Sequence, residues 1–222
     1  MSQEPYALEF AVIPSPGTDI PDVQIMAQKI QVLQPFAQVI HIDFLDGIFA
    51  KTKTSLDFSQ FTPFTKDTLF EAHLMVADPL RYIDDLARAG FKRFVGQIEM
   101  MPDVSAFIAK GQDVGEVGVA VDKDTAIETI FPFLEDIDFA LVMTVKAGLS
   151  RQSFLPEMLE KVKKLKGKAN FLPIEIDGGM NDKTIMQAKD AGATRFVTTG
   201  YVLDSDSPKA QFARLQQVLQ QE

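Results

Sequence analysis

LFEAHLMVADPLRYIDDLARAGFKRFVGQI, residues 69–98, contains the pattern of a strand, a helix and a second strand in order. Its apolar ends, Leu69–Leu74 and Arg93–Ile98, predict buried strands. The middle, Pro79–Ala89, has a proline in its first turn and is followed by Gly90, which is typical of a helix and its end. A strand, a helix and another strand predict two parallel strands joined by a crossover helix.

The same alternation extends over the whole chain. Further helices are predicted at Gln152–Lys168 and Lys183–Ala191. Eight strands, each with a helix behind it, predict a closed (β/α)8 barrel formed by residues 1–222 as a single domain. An open doubly wound sheet is the alternative, but its glycine-rich first turn is absent from Ile13-Pro-Ser-Pro-Gly17. The eight predicted strands are Leu8–Ile13, Gln38–Asp43, Leu69–Leu74, Arg93–Ile98, Val117–Val121, Phe139–Val145, Leu172–Ile176 and Arg195–Thr199.

Composition excludes several classes of protein. The 222 residues are 46% hydrophobic and 24% charged, a balance typical of a soluble globular protein. A formal net charge of −9 disfavours nucleic acid and anionic membranes as partners. No cysteine is present, which excludes thiolate metal sites and cysteine nucleophiles. Because no signal-like or membrane-spanning apolar segment is found, we expect a cytoplasmic protein.

Four polar residues stand at or directly after the ends of predicted strands: His41, Asp43, His73 and Asp177. Residues two apart on a strand point to the same face, so His41 and Asp43 can both face the barrel axis. Two imidazoles and two carboxylates are a plausible ligand set for Zn²⁺, Fe²⁺ or Mn²⁺. From spacing alone, hydrogen-bonded structural histidines remain an equal alternative.

Four motifs, in order, resemble those of the ribulose-phosphate 3-epimerase family. The segment 41–49, HIDFLDGIF, resembles that family's His-x-Asp-x-Met-Asp-Gly-x-Phe, and residues 73–76, HLMV, are identical to its next motif. Residues 141–154, LVMTVKAGLSRQSF, resemble its Val-Met-Ser-Val-Asn-Pro-Gly-Phe-Gly-Gly-Gln-Ser-Phe, and residues 175–179, EIDGG, resemble Glu-Val-Asp-Gly-Gly. The similarity extends from about Pro14 to Leu203.

This resemblance implies a metal-dependent enzyme that inverts C3 of a ketose phosphate, interconverting D-ribulose 5-phosphate and D-xylulose 5-phosphate through an enediolate. It implies that His41, Asp43, His73 and Asp177 bind a divalent ion (Zn²⁺, Fe²⁺, Mn²⁺ or Co²⁺). Asp43 and Asp177 would also transfer protons, and the protein would form a homo-oligomer. The residues implied to bind the sugar phosphate are Ser15, Met75, Met143, Gly148, Arg151, Gly178, Gly179, Thr199 and Gly200.

The chain departs from the family pattern mainly where the phosphate would bind. Arg151 replaces a glycine after the sixth strand, Thr199-Gly200 replaces Gly-Ser, and Gln97 stands where the fourth strand often carries histidine. Arg151 could pair with a phosphate or lie free on the surface, and Ser15 could equally be a turn residue. Buried methionines such as Met75 are more often plain packing.

Two alternative functions remain open at this point. A hexulose phosphate such as allulose 6-phosphate would use the same chemistry, so the motifs do not separate the two sugars. A barrel that binds a metal or sugar phosphate without turnover is the alternative from another class. A related decarboxylase is disfavoured, because it would need a lysine beside paired aspartates.

Overall fold

The structure is a computed structural model that describes residues 7–12, 23–148 and 152–221. Within these ranges eight parallel strands form one closed barrel, in which each strand pairs with the next and the eighth pairs with the first. The predicted barrel is therefore confirmed. The strands are β1 (Ala7–Val12), β2 (Val39–Leu45), β3 (Leu69–Met75), β4 (Arg93–Gln97), β5 (Glu116–Val121), β6 (Phe139–Met143), β7 (Ile174–Asp177) and β8 (Arg195–Thr198).

Helices between the strands form the outer layer, with two exceptions to the predicted alternation. After β2 and after β5 the connection contains a 3-10 helix, Phe58–Phe61 and Ile127–Phe133, where an α-helix was predicted. In the second of these, Pro132 lies inside the helix and prevents regular α-helical hydrogen bonding. The α-helices are α1 (Val23–Leu33), α2 (Ile83–Arg88), α3 (Val104–Gln112), α4 (Leu159–Lys168), α5 (Thr184–Ala191), α6 (Gly200–Leu203) and α7 (Pro208–Leu219).

The helix predicted at Gln152–Lys168 begins later than expected. Residues 152–155 are not helical, a 3-10 turn spans Pro156–Met158, and α4 follows it. Leu155 is extended, as residues before proline usually are, and its N–H donates to the Thr144 carbonyl at 2.8 Å. Pro156 therefore delays the helix, and the non-helical residues 152–155 pack beside Thr144 and Gly179.

Alternation along the strands produces two separate cores. On β2, Ile40, Ile42 and Phe44 point outward and are buried against the helices. Full burial of each of these side chains contributes about 1.5–3 kcal/mol. The intervening residues point into the barrel, where Leu45 joins a smaller inner core with Met75 and Met143. Polar side chains on the inner face of neighbouring strands can therefore meet across the barrel axis.

No helix in the described ranges is both long and apolar enough to cross a membrane.

Candidate metal centre and active site

His41, Asp43, His73 and Asp177 converge inside the carboxyl end of the barrel. The pairing of β2 with β3 places Asp43 opposite His73, and β7 ends at Asp177. Asp43 Oδ1 lies 2.8 Å from His73 Nδ1 and 3.2 Å from His41 Nε2, and Asp177 Oδ2 lies 3.9 Å from His73 Nδ1. All four residues are buried. The structure thus brings together the four side chains singled out in the sequence.

The geometry of this cluster fits a divalent cation. One potential donor atom from each of the four residues lies within 4.8 Å of the others. With metal–ligand bonds of about 2.0–2.2 Å, neighbouring donors of one ion lie roughly 3–3.5 Å apart, so small side-chain shifts would complete a coordination shell. Imidazole nitrogens and carboxylate oxygens suit zinc, iron, manganese or cobalt better than calcium.

A carboxylate beneath the cluster orients His41. The Nδ1 atom of His41 contacts Glu71 Oε1 and lies 3.5 Å from Glu175 Oε1. Glu71 in turn accepts a hydrogen bond from Arg93 at 3.3 Å. Because Nδ1 of His41 is bonded to Glu71, Nε2 is the ring nitrogen that faces Asp43 and the cluster.

Burial and charge act in opposite directions on His41. Burial lowers the pKa of the His41 imidazole, but hydrogen bonds to Asp43, Glu175 and Glu71 outweigh it and raise the pKa well above its ordinary value. Without a metal, a proton on His41 therefore offsets part of the buried negative charge. With a metal, that positive charge is supplied by the ion.

The two aspartates of the cluster have opposite pKa shifts. Burial alone would raise the pKa of Asp43, yet hydrogen bonds from His41 and His73 hold it well below its usual range. Burial and the nearby charge of Asp43 raise the pKa of Asp177 to about 6. Two carboxyl groups with separated proton affinities are the usual arrangement for an acid and a base in one site.

Glu71 and Glu175 were not singled out in the sequence, although a signal for them exists. Each stands two residues before a candidate ligand on the same strand, His73 in one case and Asp177 in the other. Because residues two apart on a strand share a face, Glu71 must point into the barrel together with His73, and Glu175 together with Asp177. Both are fully buried.

The residues expected to bind substrate lie around the rim wherever the structure describes them. Met75 and Met143 are buried with Leu45 in the inner core, at the ends of β3, β6 and β2. Gly148, Gly178, Gly179, Thr199 and Gly200 follow the ends of the adjacent strands β6, β7 and β8. Ser15 and Arg151 lie outside the described residues.

Gly178 and Gly179 form a turn that other residues would not fit. Their φ angles are +120° and +68°, in the region that favours glycine. A Cβ atom at Gly179 would lie 3.0 Å from the backbone of Phe154. The turn after β7 therefore packs directly against the segment after β6.

The loop after β2 reaches across to the loop after β6. Thr52 donates a hydrogen bond to the Gly148 carbonyl at 2.8 Å, and a Cβ atom at Gly148 would lie 2.4 Å from the Cβ atom of Ala50. Asp46 fixes the beginning of this loop by accepting hydrogen bonds from the N–H groups of Ile48, Phe49 and Ala77. The loop after β2 is thus packed against the loop after β6.

Fold and site together define a (β/α)8 barrel with a buried histidine–aspartate centre at the carboxyl ends of its strands. The sequence matches the ribulose-phosphate 3 epimerase family over residues 21–203. It is 38% identical over 175 residues to the ribulose-phosphate 3-epimerase of Schizosaccharomyces pombe, covering 77% of each chain. It is 34% identical over 194 residues to the cytoplasmic isoform of Oryza sativa, covering 83% of each. The chain belongs to the ribulose-phosphate 3-epimerase family.

Solved structures confirm the fold. KGPDC from Streptococcus mutans in complex with D-R5P superposes with a TM-score of 0.72 at 14% identity, covering 97% of this chain and 98% of that one. A 3-hexulose-6-phosphate synthase gives a TM-score of 0.69 at 18% identity over 96% of this chain and 99% of that one. At these identities the likeness establishes the barrel architecture alone.

Proposed function

We propose that this protein is a metal-dependent epimerase that interconverts D-ribulose 5-phosphate and D-xylulose 5-phosphate. The observation that carries the proposal is the convergence of His41, Asp43, His73 and Asp177 at the carboxyl end of the barrel. Membership in the family indicates the reaction, and the buried cluster contains the imidazoles and carboxylates that this reaction requires. The native ion would be zinc, iron, manganese or cobalt, held by these four side chains.

Inversion at C3 needs one proton-transfer group on each face of the reacting carbon. Asp43 and Asp177 come from β2 and β7, which are separated in the closed sheet by β1 and β8. One carboxylate removes the C3 proton and the other carboxyl group returns a proton to the opposite face. Both groups are almost fully buried, so the exchange takes place away from bulk water. A divalent cation in the cluster would stabilise the negative charge that develops on the substrate oxygens.

The phosphate would bind at the glycine turns after β6, β7 and β8. Backbone N–H groups of Gly148, Gly178, Gly179 and Gly200 are the proposed donors, with Arg151 as an added positive charge. A net charge of −9 requires a local site of this kind for an anionic substrate. Met75 and Met143 would contact the sugar from the inner core, and Ser15 and Thr199 would complete the pocket.

The test is an epimerisation assay on ribulose, xylulose and allulose phosphates with each metal in turn. We expect turnover of the pentulose phosphates, and Asp43→Asn and Asp177→Asn to lower kcat by at least about 100-fold each, the size of general acid–base contributions. A matched control is Asp67→Asn, an exposed carboxylate. If only allulose 6-phosphate is turned over, the substrate is a hexulose phosphate and the proposed pentulose substrate is wrong. If the protein binds metal but turns over none of the three sugars, the non-catalytic barrel is favoured.

We propose a single-domain, cytoplasmic homo-oligomer. The closure of β8 on β1 supports the single domain, and the rice relative that is named a cytoplasmic isoform supports the compartment. The oligomer rests on the family resemblance alone. Mass measured by light scattering tests the assembly. A mass of about 25 kDa, that of one 24.6 kDa chain, would contradict it.

A further inference from the structure

The amide of Gln97 lies against His73 on the side away from the metal cluster. Gln97 is the last residue of β4, and both side chains are fully buried. Gln97 Nε2 lies 3.1 Å from His73 Nε2. Gln97 Oε1 has no hydrogen-bond partner among the described residues. The contact with His73 is therefore the hydrogen bond that determines how this amide is oriented.

Two facing nitrogens bond only if one donates and the other accepts. An amide nitrogen always donates, so His73 Nε2 must accept in this arrangement. The single proton of the neutral imidazole is then on Nδ1, which donates it to Asp43 Oδ1 at 2.8 Å. Gln97, His73 and Asp43 thus form a consistent chain of hydrogen bonds when no cation is bound.

A cation at Nδ1 of His73 requires the opposite tautomer. Nδ1 must then present its lone pair, and the imidazole proton must be on Nε2. Two N–H groups would now face each other in a buried site, and a buried donor without an acceptor costs about 1–3 kcal/mol. A half-turn of the Gln97 amide exchanges its nitrogen for Oε1, which accepts the Nε2 proton.

We propose that Gln97 is a positioning residue that supports both tautomers of His73 by turning its amide when the metal binds. The proposal rests on the metal site of the proposed function. His41 is held differently, because its partner Glu71 is a carboxylate that accepts from Nδ1 in both states. Glu71 therefore holds the Nδ1 proton of His41 with or without metal, and Nε2 of His41 loses its own proton when the ion binds. His73 instead changes tautomer, with Gln97 as its partner in both states.

The tautomers can be observed directly, because the chain contains only two histidines. Long-range ¹H–¹⁵N spectra of the full chain at pH 8 distinguish protonated from unprotonated ring nitrogens. We expect His73 to carry its proton on Nδ1 in metal-free protein and on Nε2 after addition of one equivalent of Zn²⁺. A proton on Nε2 in both states would overturn the switch.

Two variants separate positioning from packing. Gln97→Met has a similar shape but neither donor nor acceptor, and it should weaken Zn²⁺ affinity, measured by competition with a chelator, about 10- to 100-fold. Gln97→Glu retains an acceptor, and it should bind Zn²⁺ at least as tightly as the wild type while keeping the His73 proton on Nε2 without metal. Gln34→Met is the matched control, since Gln34 is bonded to the Phe64 carbonyl on the outer layer.

A failure of the Gln97 role and a failure of the metal site itself can be told apart in these measurements. If the wild type binds Zn²⁺ and Gln97→Met binds it equally well, the role of Gln97 is wrong and the metal site stands. Equal losses in Gln97→Met and Gln97→Glu would also refute the acceptor role. If the wild type binds no Zn²⁺, Fe²⁺, Mn²⁺ or Co²⁺, the proposed function fails and the inference fails with it.

Discussion

Asp177 occupies a position that is unfavourable for a carboxylate in the absence of metal. Its side chain is buried at the end of β7, 3.9 Å from His73 Nδ1, while Asp43 takes the closer contacts with both histidines. Burial and the charge of Asp43 raise the pKa of Asp177 to about 6. The chain retains a group that destabilises the metal-free fold, as expected of a residue kept for binding or chemistry.

The sign of this effect gives a prediction for Asp177→Asn. The folded pKa exceeds the value of about 3.9 in an unfolded chain, so folding loses stability as the pH rises from about 4 through 6. Removing the carboxylate should therefore stabilise metal-free protein at pH 7.5 by about 1–3 kcal/mol. Most of that gain should disappear at pH 4, where the wild-type carboxyl is protonated in the folded state. Urea unfolding of metal-stripped protein at both pH values measures it.

The same substitution should have the opposite effect on the metal-loaded protein. There Asp177 is proposed to be a ligand, so Asp177→Asn should reduce the stabilisation that Zn²⁺ provides. Asp67→Asn, at an exposed position, should change neither measurement by more than about 0.5 kcal/mol. Lower stability of Asp177→Asn at pH 7.5 without metal would show that the raised pKa is wrong.

Among the elements, β6 and β7 are tied together just beyond their ends by Thr144. Its N–H donates to the Asp177 carbonyl at 2.8 Å, and its hydroxyl lies 3.0 Å from that carbonyl and 2.7 Å from the Gly178 carbonyl. Thr144 is fully buried. One side chain thus fixes the turn that is proposed to bind phosphate and the residue before it that is proposed to transfer a proton.

Thr144→Val removes the hydroxyl and keeps the shape of the side chain. The Gly178 carbonyl then loses a buried donor, which should lower the free energy of unfolding by about 1–3 kcal/mol. The turn at Gly178 and Gly179 should then loosen, while Asp177 stays in place because β7 remains paired with β6 and β8. KM for the sugar phosphate should therefore rise severalfold, with a smaller change in kcat. Thr144→Ser retains the hydroxyl and is the control. Indistinguishable KM values for the two variants would contradict this role.

The strands were predictable because each is a short apolar run, and β2 to β8 are largely buried on both faces. Their observed bounds differ from the predicted ones by at most two residues, as at β7, which begins at Ile174 where Leu172 was predicted. Connections were less predictable, since a 3-10 helix such as Phe58–Phe61 depends on local packing and has no strong periodicity of its own.

The candidate ligands were predictable for the same reason, because a polar residue at the end of a buried strand must lie on the barrel rim. What no single motif revealed is how these residues are held. The Gln97 contact with His73 joins β4 to β3, and the Thr144 contact with Gly178 joins the segments after β6 and β7. Such contacts depend on side-chain rotamers, which the sequence pattern does not specify.

Taken as a whole, the barrel interior carries a column of charged side chains below the metal cluster. Glu71 contacts Arg93, and both Arg93 and Arg195 contact Glu116 at the solvent-facing end. The two guanidinium groups also lie 5.6 Å and 4.8 Å from the centre of the Phe139 ring. These contacts close the barrel opposite the active site and place positive charge beneath Glu71.

The two arginines do not balance the negative charge of the carboxylates buried in the barrel interior. The described part of the barrel contains four buried carboxylates, from Asp43, Glu71, Glu175 and Asp177, against buried Arg93 and the partly exposed Arg195. A divalent cation would compensate the difference without the proton that His41 otherwise takes up. The stability of the whole barrel should therefore depend on metal.

We expect stripping the metal to lower the melting temperature, and Zn²⁺ to restore it in a concentration-dependent way. At 1,000 times the dissociation constant, a ligand that binds only the folded state contributes about 4 kcal/mol. For a chain of this length that corresponds to a shift on the order of 10 °C. The shift, measured by calorimetry with and without chelator, should vanish in the His41→Ala/His73→Ala double variant. Ca²⁺ should produce little shift, because it prefers an all-oxygen site. An equal Zn²⁺ shift in the double variant would place the stabilising ion elsewhere, since a barrel that lacks both imidazoles retains only carboxylates at this centre.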